Sequence, residues 1–273
     1  LNRFASSVSV VEEAAFTQIA EIAFFDPLPF EVTRGRKFLY DSHLTSGLGQ
    51  ASCASCHIDA RTDFLVWDMG SPDGSMGEFN QVCNLELALA DDCGPWHPMK
   101  GPMASQTLLG LAGNEPFHWR GEKDDLTEFN VAFTHLQGAD AELPAAEMAS
   151  LQTYVASLVF PPNPNRNIDN TLRTSVAIFG GTQTGFNVTG NAVTGQNLFN
   201  TGQFFAGPPG APGLTCVSCH AGAIGSNNRV DIPAPGGENQ NRKNSHLREL
   251  WRKVGASNTS TTALRGFGFE GRT

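Results

Sequence analysis

Two pentapeptides constrain this chain more than any other feature of its sequence. CASCH occupies positions 53–57 and CVSCH positions 216–220, and together they contain four of the six cysteines. Two cysteines three positions apart, with a histidine directly after the second, form the attachment signature of c-type haem. The two thiols can form thioethers to one porphyrin, and the histidine then lies below the iron as its proximal ligand. The sequence therefore predicts two covalently attached haem c groups.

Other uses of paired cysteines fit these motifs less well. A zinc ribbon needs two C-x-x-C pairs about 15–20 residues apart, whereas the pairs here begin at positions 53 and 216. A thioredoxin-type redox motif needs a βαβ context, which the flanking sequence lacks. The residues predicted to bind haem are Cys53, Cys56 and His57 in the first motif and Cys216, Cys219 and His220 in the second.

The remaining cysteines, Cys83 and Cys93, bracket the segment CNLELALADDC. Haem c is attached outside the cytoplasm, where disulfide bonds persist. We therefore predict a disulfide between these two cysteines and a periplasmic or extracellular location in a bacterium. A metal-binding pair is the alternative for Cys83 and Cys93. Calcium is a separate candidate cofactor of the chain.

Charge and hydropathy exclude some classes of partner. The formal net charge of −9 disfavours nucleic acid and anionic membrane surfaces. No uncharged apolar run approaches the roughly 20 residues of a membrane span, since the best candidate, 14–25, is short and contains Glu21. No signal peptide is recognisable, and because the chain starts at Leu1 rather than Met we expect a mature form or a fragment.

A shared pattern before the two motifs indicates an internal duplication. EVTRGRKFLYDSHL (31–44) and VTGQNLFNTGQFF (193–205) both read as helices that lead into their motif. The matched positions are Gly35, Phe38 and Leu39 in the first copy and Gly195, Leu198 and Phe199 in the second.

Other patterns set the expected domain limits. SVSVV and QIAEIAF, within the first 25 residues, predict a pair of strands. The segment 143–160 has apolar residues at intervals of three and four and Pro144 near its start, which predicts an amphipathic helix, and PPNPNRN (161–167) ends it. The predicted limits are 1–28 for a β-rich extension or the end of a preceding module, 29–165 for the first haem domain and 166–273 for the second.

The sixth ligand of each iron separates an electron carrier from a catalyst, because an open position can bind peroxide or oxygen. For the first haem, the loop PWHPMKGPM (95–103) offers His97, Met99 and Met103. The alternatives elsewhere are His43, His118 and His135.

The second haem has fewer candidate ligands. The chain after His220 contains His246 and no methionine. The second iron is therefore bound by His246, bound by a residue from elsewhere or beyond Thr273, or five-coordinate. The alternative for His246 is a surface or packing role in a helix.

Four stretches of the sequence carry a resemblance to a known family. They are RGRKFLYDSHLTSGLGQASCASCH, GPMASQTLLGLAGNEPFHWRGEKDDLTEF, GQNLFN before CVSCH, and RKNSHLREL. Over residues 30–273 the chain resembles the bacterial di-haem cytochrome c peroxidase superfamily, which includes the methylamine-utilisation di-haem enzymes. The resemblance implies a mainly α fold of two cytochrome c-like haem domains with long loops, here preceded by the short N-terminal β extension. NRFASSVSVVE resembles the closing strands of a β-propeller, a module sometimes fused to such di-haem proteins.

The resemblance also implies roles for single residues. Trp119, in FHWRG, would stand between the haems, and His97 would be the distal ligand of the first haem. The family's acid–base glutamate follows the tryptophan element, where this chain has Glu142 and Glu147 in a different context. FGFEGRT (267–273) lacks the methionine or histidine expected for the second haem. The candidate catalytic residues are Trp119, Arg120 and Glu142, with Arg120 stabilising charge on a departing oxygen or binding a haem propionate.

Two main functions follow from these features. The first is electron transfer with a redox protein such as a small cytochrome or cupredoxin, or with neighbouring haem subunits. The second is reduction of hydrogen peroxide at an open haem. The lack of a clear catalytic acid favours electron transfer. A third interpretation is a subunit of a larger assembly, in which residues 1–25 add a strand to a neighbour.

Overall fold

Short helices and two-stranded ribbons make up the architecture. The computed structural model describes residues 2, 4–63, 65–67, 69, 103–179, 187–205, 213–231 and 242–249. The helices are α1 (Phe30–Tyr40), α2 (Ser42–Thr45), α3 (Cys53–Cys56), α4 (Val131–His135), α5 (Ala145–Ser157), α6 (Ala192–Thr201) and α7 (Cys216–Cys219), with 3-10 turns at Ile58–Ala60 and Leu126–Phe129. The strands form antiparallel pairs: β1 (Ser7–Glu12) with β2 (Thr17–Ala23), β3 (Val66–Trp67) with β4 (Met103–Ala104), β5 (Val176–Phe179) with β6 (Asn187–Gly190), β7 (Gln203–Phe205) with β8 (Leu214–Thr215), and β9 (Val230–Asp231) with β10 (Arg242–Lys243).

The prediction of a mainly α fold is wrong. The structure is 32% helical and 17% strand. Several helices, including both that carry the C-x-x-C motifs, are a single turn long, and loops and short ribbons occupy much of the remainder. The glycine and proline content explains this outcome, because both residues interrupt helices and favour turns.

The chain divides into two compact units, and each contains one of the two motifs. The first unit comprises 1–63, 105–115 and 123–159, and the second comprises 64–104, 116–122 and 160–273. The predicted domain limits at 28/29 and 165/166 stay predictions.

A close crossing of α1 and α5 forms the centre of the first unit. A Cβ atom added to Gly35 would overlap the carbonyl of Ser150 and lie 2.8 Å from Cβ of Tyr154. The Ser150 hydroxyl donates a hydrogen bond to Glu31 at 2.7 Å, which ties the two helices together. The core around this crossing consists of Val32, Phe38, Leu39, Ala60, Leu109, Phe133, Met148, Leu151, Tyr154 and Val155.

The helix predicted over 31–44 is interrupted at Asp41. Its backbone leaves the helical region (φ −85°, ψ 102°), and its side chain accepts hydrogen bonds from the N–H groups of His43 and Leu44. Asp41 is therefore the N-cap of α2, and α1 ends at the residue before it. The helix predicted over 143–160 is confirmed as α5. The helix predicted over 193–205 is confirmed as α6 as far as Thr201, but its last residues, Gln203–Phe205, form strand β7 instead.

The strand pair predicted near the N-terminus is present as the β1–β2 hairpin, with a register shift between Val10 and Val11. One face is polar: Ser7 and Ser9 bind the side chain of Asn2, and Ser7 also binds Glu21. The opposite face is apolar and exposed at Val10, Ile22 and Phe24.

The second unit is built largely from ribbons in its described parts. Gly121 adopts φ +68°, and a Cβ there would overlap the Val230 side chain, so the turn containing Trp119 packs closely against β9. The backbone N–H of Lys243, in β10, donates to the Trp119 carbonyl at 2.8 Å. Across the described part of the chain, no helix is long and apolar enough to span a membrane.

Candidate functional site

The first C-x-x-C-H motif begins with a single helical turn, α3. Ser52 and Ser55 form a reciprocal capping box at its start, in which the Ser55 hydroxyl accepts from the Ser52 N–H at 3.1 Å. The turn closes when the N–H of His57 donates to the Cys53 carbonyl at 2.9 Å. Residues three apart on a helix lie on the same face. Cys53 and Cys56 can therefore both form a bond to one planar group on that face.

A hydrogen bond fixes the histidine of the first motif. The Nδ1 atom of His57 lies 2.7 Å from the carbonyl oxygen of Gln106. Because a carbonyl only accepts, Nδ1 carries the proton, and the lone pair is then on Nε2. A backbone acceptor on one ring nitrogen is the usual way to orient a histidine whose other nitrogen binds a metal.

The second motif repeats this local geometry. Thr215 and Ser218 form the capping box of α7, and the N–H of His220 donates to the Cys216 carbonyl at 2.9 Å. The Nδ1 atom of His220 lies 3.1 Å from the carbonyl oxygen of Gly225. The backbone angles of the two histidines agree closely, with φ −98° and ψ 59° for His57 and φ −100° and ψ 48° for His220.

None of the four cysteines of the two motifs forms a disulfide. Burial raises the pKa of the Cys53 thiol, although Gln137 opposes this shift by donating a hydrogen bond to the sulfur. Burial also raises the pKa of Cys56, and the charge of Asp63 raises it further. Catalytic C-x-x-C cysteines instead have lowered pKa values, so both shifts are opposite in direction to those of a thiol oxidoreductase.

Several predicted residues lie outside the described residues. They are Cys83, Cys93, His97 and Met99. The disulfide and the distal ligands predicted among them therefore stay predictions.

Five ligand candidates lie among the described residues: Met103, His118 and His246 in the second unit, and His43 and His135 in the first. The Met103 sulfur, in β4, is 4.0 Å from Nη1 of Arg242. The imidazole of His246 is half-buried and meets the ring of Phe160 edge-on, with centroids 5.3 Å apart. The next residue, Leu247, binds the Ile224 carbonyl through its N–H at 3.1 Å, so His246 is tied to the loop that follows the second motif.

Trp119 is held by hydrogen bonds at both its side chain and its backbone. Its indole N–H donates to the Ala104 carbonyl at 2.7 Å, and its own carbonyl accepts from Lys243. The neighbouring Arg120 is only 2% exposed. Its Nε and Nη2 atoms each lie 3.3 Å from Oε1 of Glu122, so this guanidinium is bound to a carboxylate of its own turn.

Glu122 is a residue that the sequence analysis missed. Its side chain is 9% exposed, and Oε1 also accepts from Nδ1 of His118 at 3.1 Å. Burial alone would raise the pKa of Glu122, but the hydrogen bond and charge of His118 and the charge of Arg120 outweigh it and lower the pKa to about 2. The sequence did contain a signal for this ion pair, because HWRGE places opposite charges on either side of Gly121 in a tight turn.

The chemical capacity of this turn follows from that pKa. A carboxylate that stays ionised near pH 7 is a counter-ion for Arg120 and not a proton donor. Glu142, the candidate acid from the sequence, is exposed at the surface of the first unit. Among the described residues, no group of three or more His, Cys, Asp or Glu side chains could hold a metal ion, and calcium binding stays a prediction.

Comparison with known proteins gives little further guidance. No protein-family profile and no curated protein matches the chain. Among solved structures, the chain is similar to hydrazine synthase of Kuenenia stuttgartiensis, in a crystal pressurised with 20 bar xenon. The sequence identity is 18% and the TM-score 0.46, over 89% of this chain and 69% of that chain. This likeness is too weak to support an inference about fold or function.

Proposed function

We propose that this chain is a di-haem c-type cytochrome that transfers electrons outside the cytoplasm. The observation that carries the proposal is the matched geometry of the two C-x-x-C-H motifs. In each, one capped helical turn holds two cysteines, and a backbone carbonyl binds Nδ1 of the following histidine. A histidine that binds no metal does not need a fixed tautomer and orientation, yet the histidines of both motifs have them.

The residues fit haem c in chemical terms. Cys53 and Cys56, and likewise Cys216 and Cys219, would form the thioether bonds, while Nε2 of His57 and of His220 would bind the iron. Haem c, when bound, supplies one-electron exchange at a potential set by its ligands and surroundings. The protein's part is to hold each histidine in one tautomer and one orientation.

Electron transfer is favoured over peroxide reduction by the surroundings of three charged residues, two of them the predicted candidates Arg120 and Glu142. Arg120 is bound to Glu122, Glu122 stays ionised, and Glu142 is exposed. None of these three residues is arranged as an acid–base group for cleavage of an oxygen–oxygen bond. Peroxidase activity remains the alternative, and membership of the di-haem peroxidase superfamily remains part of the proposal.

The proposed partner is a small redox protein or a neighbouring haem subunit. The net charge of −9 favours a partner that presents a positive patch, since charge complementarity mainly raises the association rate. A strong dependence of the electron-transfer rate on ionic strength would support such a partner.

The test is to count and characterise the haem groups. The chain, produced in a host that attaches haem c, should carry two covalent haems by mass spectrometry and by the pyridine haemochrome spectrum. The double variants C53A/C56A and C216A/C219A should each carry one. A chain without covalent haem would overturn the proposal.

Optical and EPR spectra then separate the two functions. If both haems are low-spin in the oxidised and half-reduced protein, both irons are closed and the electron carrier is supported. A high-spin haem in either state would give peroxide a place to bind, and would favour the enzyme instead.

A further inference from the structure

Gln137 is a buried residue of the first unit that touches the first motif. It follows α4, and its carbonyl accepts hydrogen bonds from the Gly47 N–H at 3.2 Å and from Nε2 of Gln50 at 3.3 Å. Its own N–H donates to the Ala132 carbonyl at 3.0 Å. Since both backbone groups are bound, the direction in which the side chain leaves the backbone is fixed.

The side-chain amide of Gln137 points its nitrogen at the motif. Nε2 lies 3.4 Å from the Cys53 sulfur, a normal distance for a hydrogen bond to sulfur. An amide N–H can only donate, so this contact uses the sulfur as an acceptor. A thioether sulfur, which has no hydrogen, retains that capacity, and the contact is therefore compatible with covalent attachment at Cys53.

The other atom of the same amide is unsatisfied within the chain. Gln137 is 5% exposed, and among the described residues its Oε1 atom has no hydrogen-bond partner. A buried amide oxygen without a donor costs about 1–3 kcal/mol. A water molecule or a ligand that donates a hydrogen bond would satisfy this oxygen.

The second motif has no equivalent of this contact. Cys216 corresponds to Cys53, yet within the described ranges no hydrogen bond reaches its sulfur. The local geometry of the two motifs is otherwise the same, so the amide is a difference between two nearly identical sites.

We propose that Gln137 is a positioning residue for the first haem, and that its N–H bond to the Cys53 sulfur raises the reduction potential of that haem relative to the second. This inference rests on the proposed function. The positive end of the amide dipole faces a sulfur bonded to the porphyrin edge, and it therefore stabilises the reduced form, which carries one more electron.

The experiment is a redox titration of the holoprotein and of two substitutions. Gln137→Met keeps the length of the side chain and removes the donor. Gln137→Glu places a negative charge at the same position. We expect the first-haem equilibrium to shift toward the oxidised form by two- to tenfold in Gln137→Met, which corresponds to about 18–59 mV, and by more in Gln137→Glu. The second haem should titrate as in the wild type.

Two controls separate this effect from disturbance of the fold. Gln50→Leu removes a bond to the Gln137 backbone without touching the sulfur, and it should leave both potentials unchanged. C216A/C219A assigns the potentials, since it retains only the first haem. If Gln137→Met does not fold, Gln137→Asn, which withdraws the amide by one methylene, should shift the same potential in the same direction.

Each outcome is decisive for the inference. Unchanged potentials in the Gln137 variants would overturn it, and so would an equal shift in Gln50→Leu. Equal shifts at both haems would also overturn it, because the contact exists at one motif. Failure to attach haem at all is a separate result, seen by mass spectrometry, and would overturn the proposed function instead.

Discussion

The two C-x-x-C-H motifs are nearly identical locally and differ in what surrounds them. Each has a reciprocal capping box, one helical turn and a histidine bound through Nδ1 to a carbonyl. The first lies in a unit with a packed helical core. In the described part of the second unit, Phe117 is the one buried hydrophobic residue.

The comparison shows that the local geometry of the motif does not depend on how many apolar side chains are buried around it. The capping box and the helical turn use hydrogen bonds between residues a few positions apart, so the motif can form in either setting. Burial of apolar side chains depends on distant segments. We therefore expect the cofactor to contribute more to the stability of the second unit than to that of the first.

The largest expected effect comes from removing one attachment site at a time. In C216A/C219A the second unit should become sensitive to protease, because its described part buries one hydrophobic residue, Phe117, and would have little else to hold it without the proposed haem. In C53A/C56A the first unit should keep much of its protection through the contact between α1 and α5. Limited proteolysis with mass mapping measures both, and equal sensitivity of the two units would contradict the comparison.

Matched glycines in the duplicated helices give the next effect. Gly35→Ala forces a Cβ into the Ser150 carbonyl, and overpacking of this kind costs about 1–3 kcal/mol or somewhat more. Gly195 is its counterpart in α6, where an added Cβ meets no atom within 4 Å in the described structure. Gly195→Ala should be neutral or stabilise by up to about 1 kcal/mol. Denaturant unfolding of the holoprotein checks the pair, and similar costs at both positions would show that the helices are packed alike.

Acid stability tests the charged turn of the second unit. The folded pKa of Glu122, about 2, is below its ordinary value of 4.5. Its contribution to stability is therefore fully present above about pH 4.5 and is lost as the pH falls toward 2. Glu122→Gln should remove on the order of 3 kcal/mol at pH 7 and flatten the acid dependence between pH 4.5 and 3.

The control for Glu122 is Glu142→Gln, which changes an exposed carboxylate in the first unit. Because this carboxylate is exposed, its replacement should leave the free energy of unfolding at pH 7 unchanged. A loss of peroxide-dependent activity in Glu142→Gln would instead revive the catalytic role predicted from the sequence.

The smallest expected effect is at the helix caps, where the motifs agree. Ser52→Ala and Thr215→Ala each remove one capping side chain and should cost about 1 kcal/mol each. Thermal unfolding of the holoprotein measures both costs. If the two costs differed by much more than about 1 kcal/mol, the capping box would not contribute equally to the stability of the two units.

Local features of this protein were predictable from its sequence. The two motifs, α5 with Pro144 before its first turn, and the β1–β2 hairpin all depend on residues close together in the chain. The break at Asp41 was not predicted, although the capping side chain was visible, because a continuous helical pattern spanned it. The helical content was overestimated for the same reason, because a short helical pattern does not reveal how soon the helix ends.

Only the tertiary structure decided which distant groups meet at the motifs. The carbonyl of Gln106 orients His57, and the amide of Gln137 reaches the Cys53 sulfur. Burial by itself would raise the pKa of Glu122, and its pKa is low because the folded turn holds His118 and Arg120 against the carboxylate. The sequence by itself determined that the two motifs adopt the same local geometry. The surroundings that make the two sites unequal come from contacts across the chain, whose geometry no local pattern encodes.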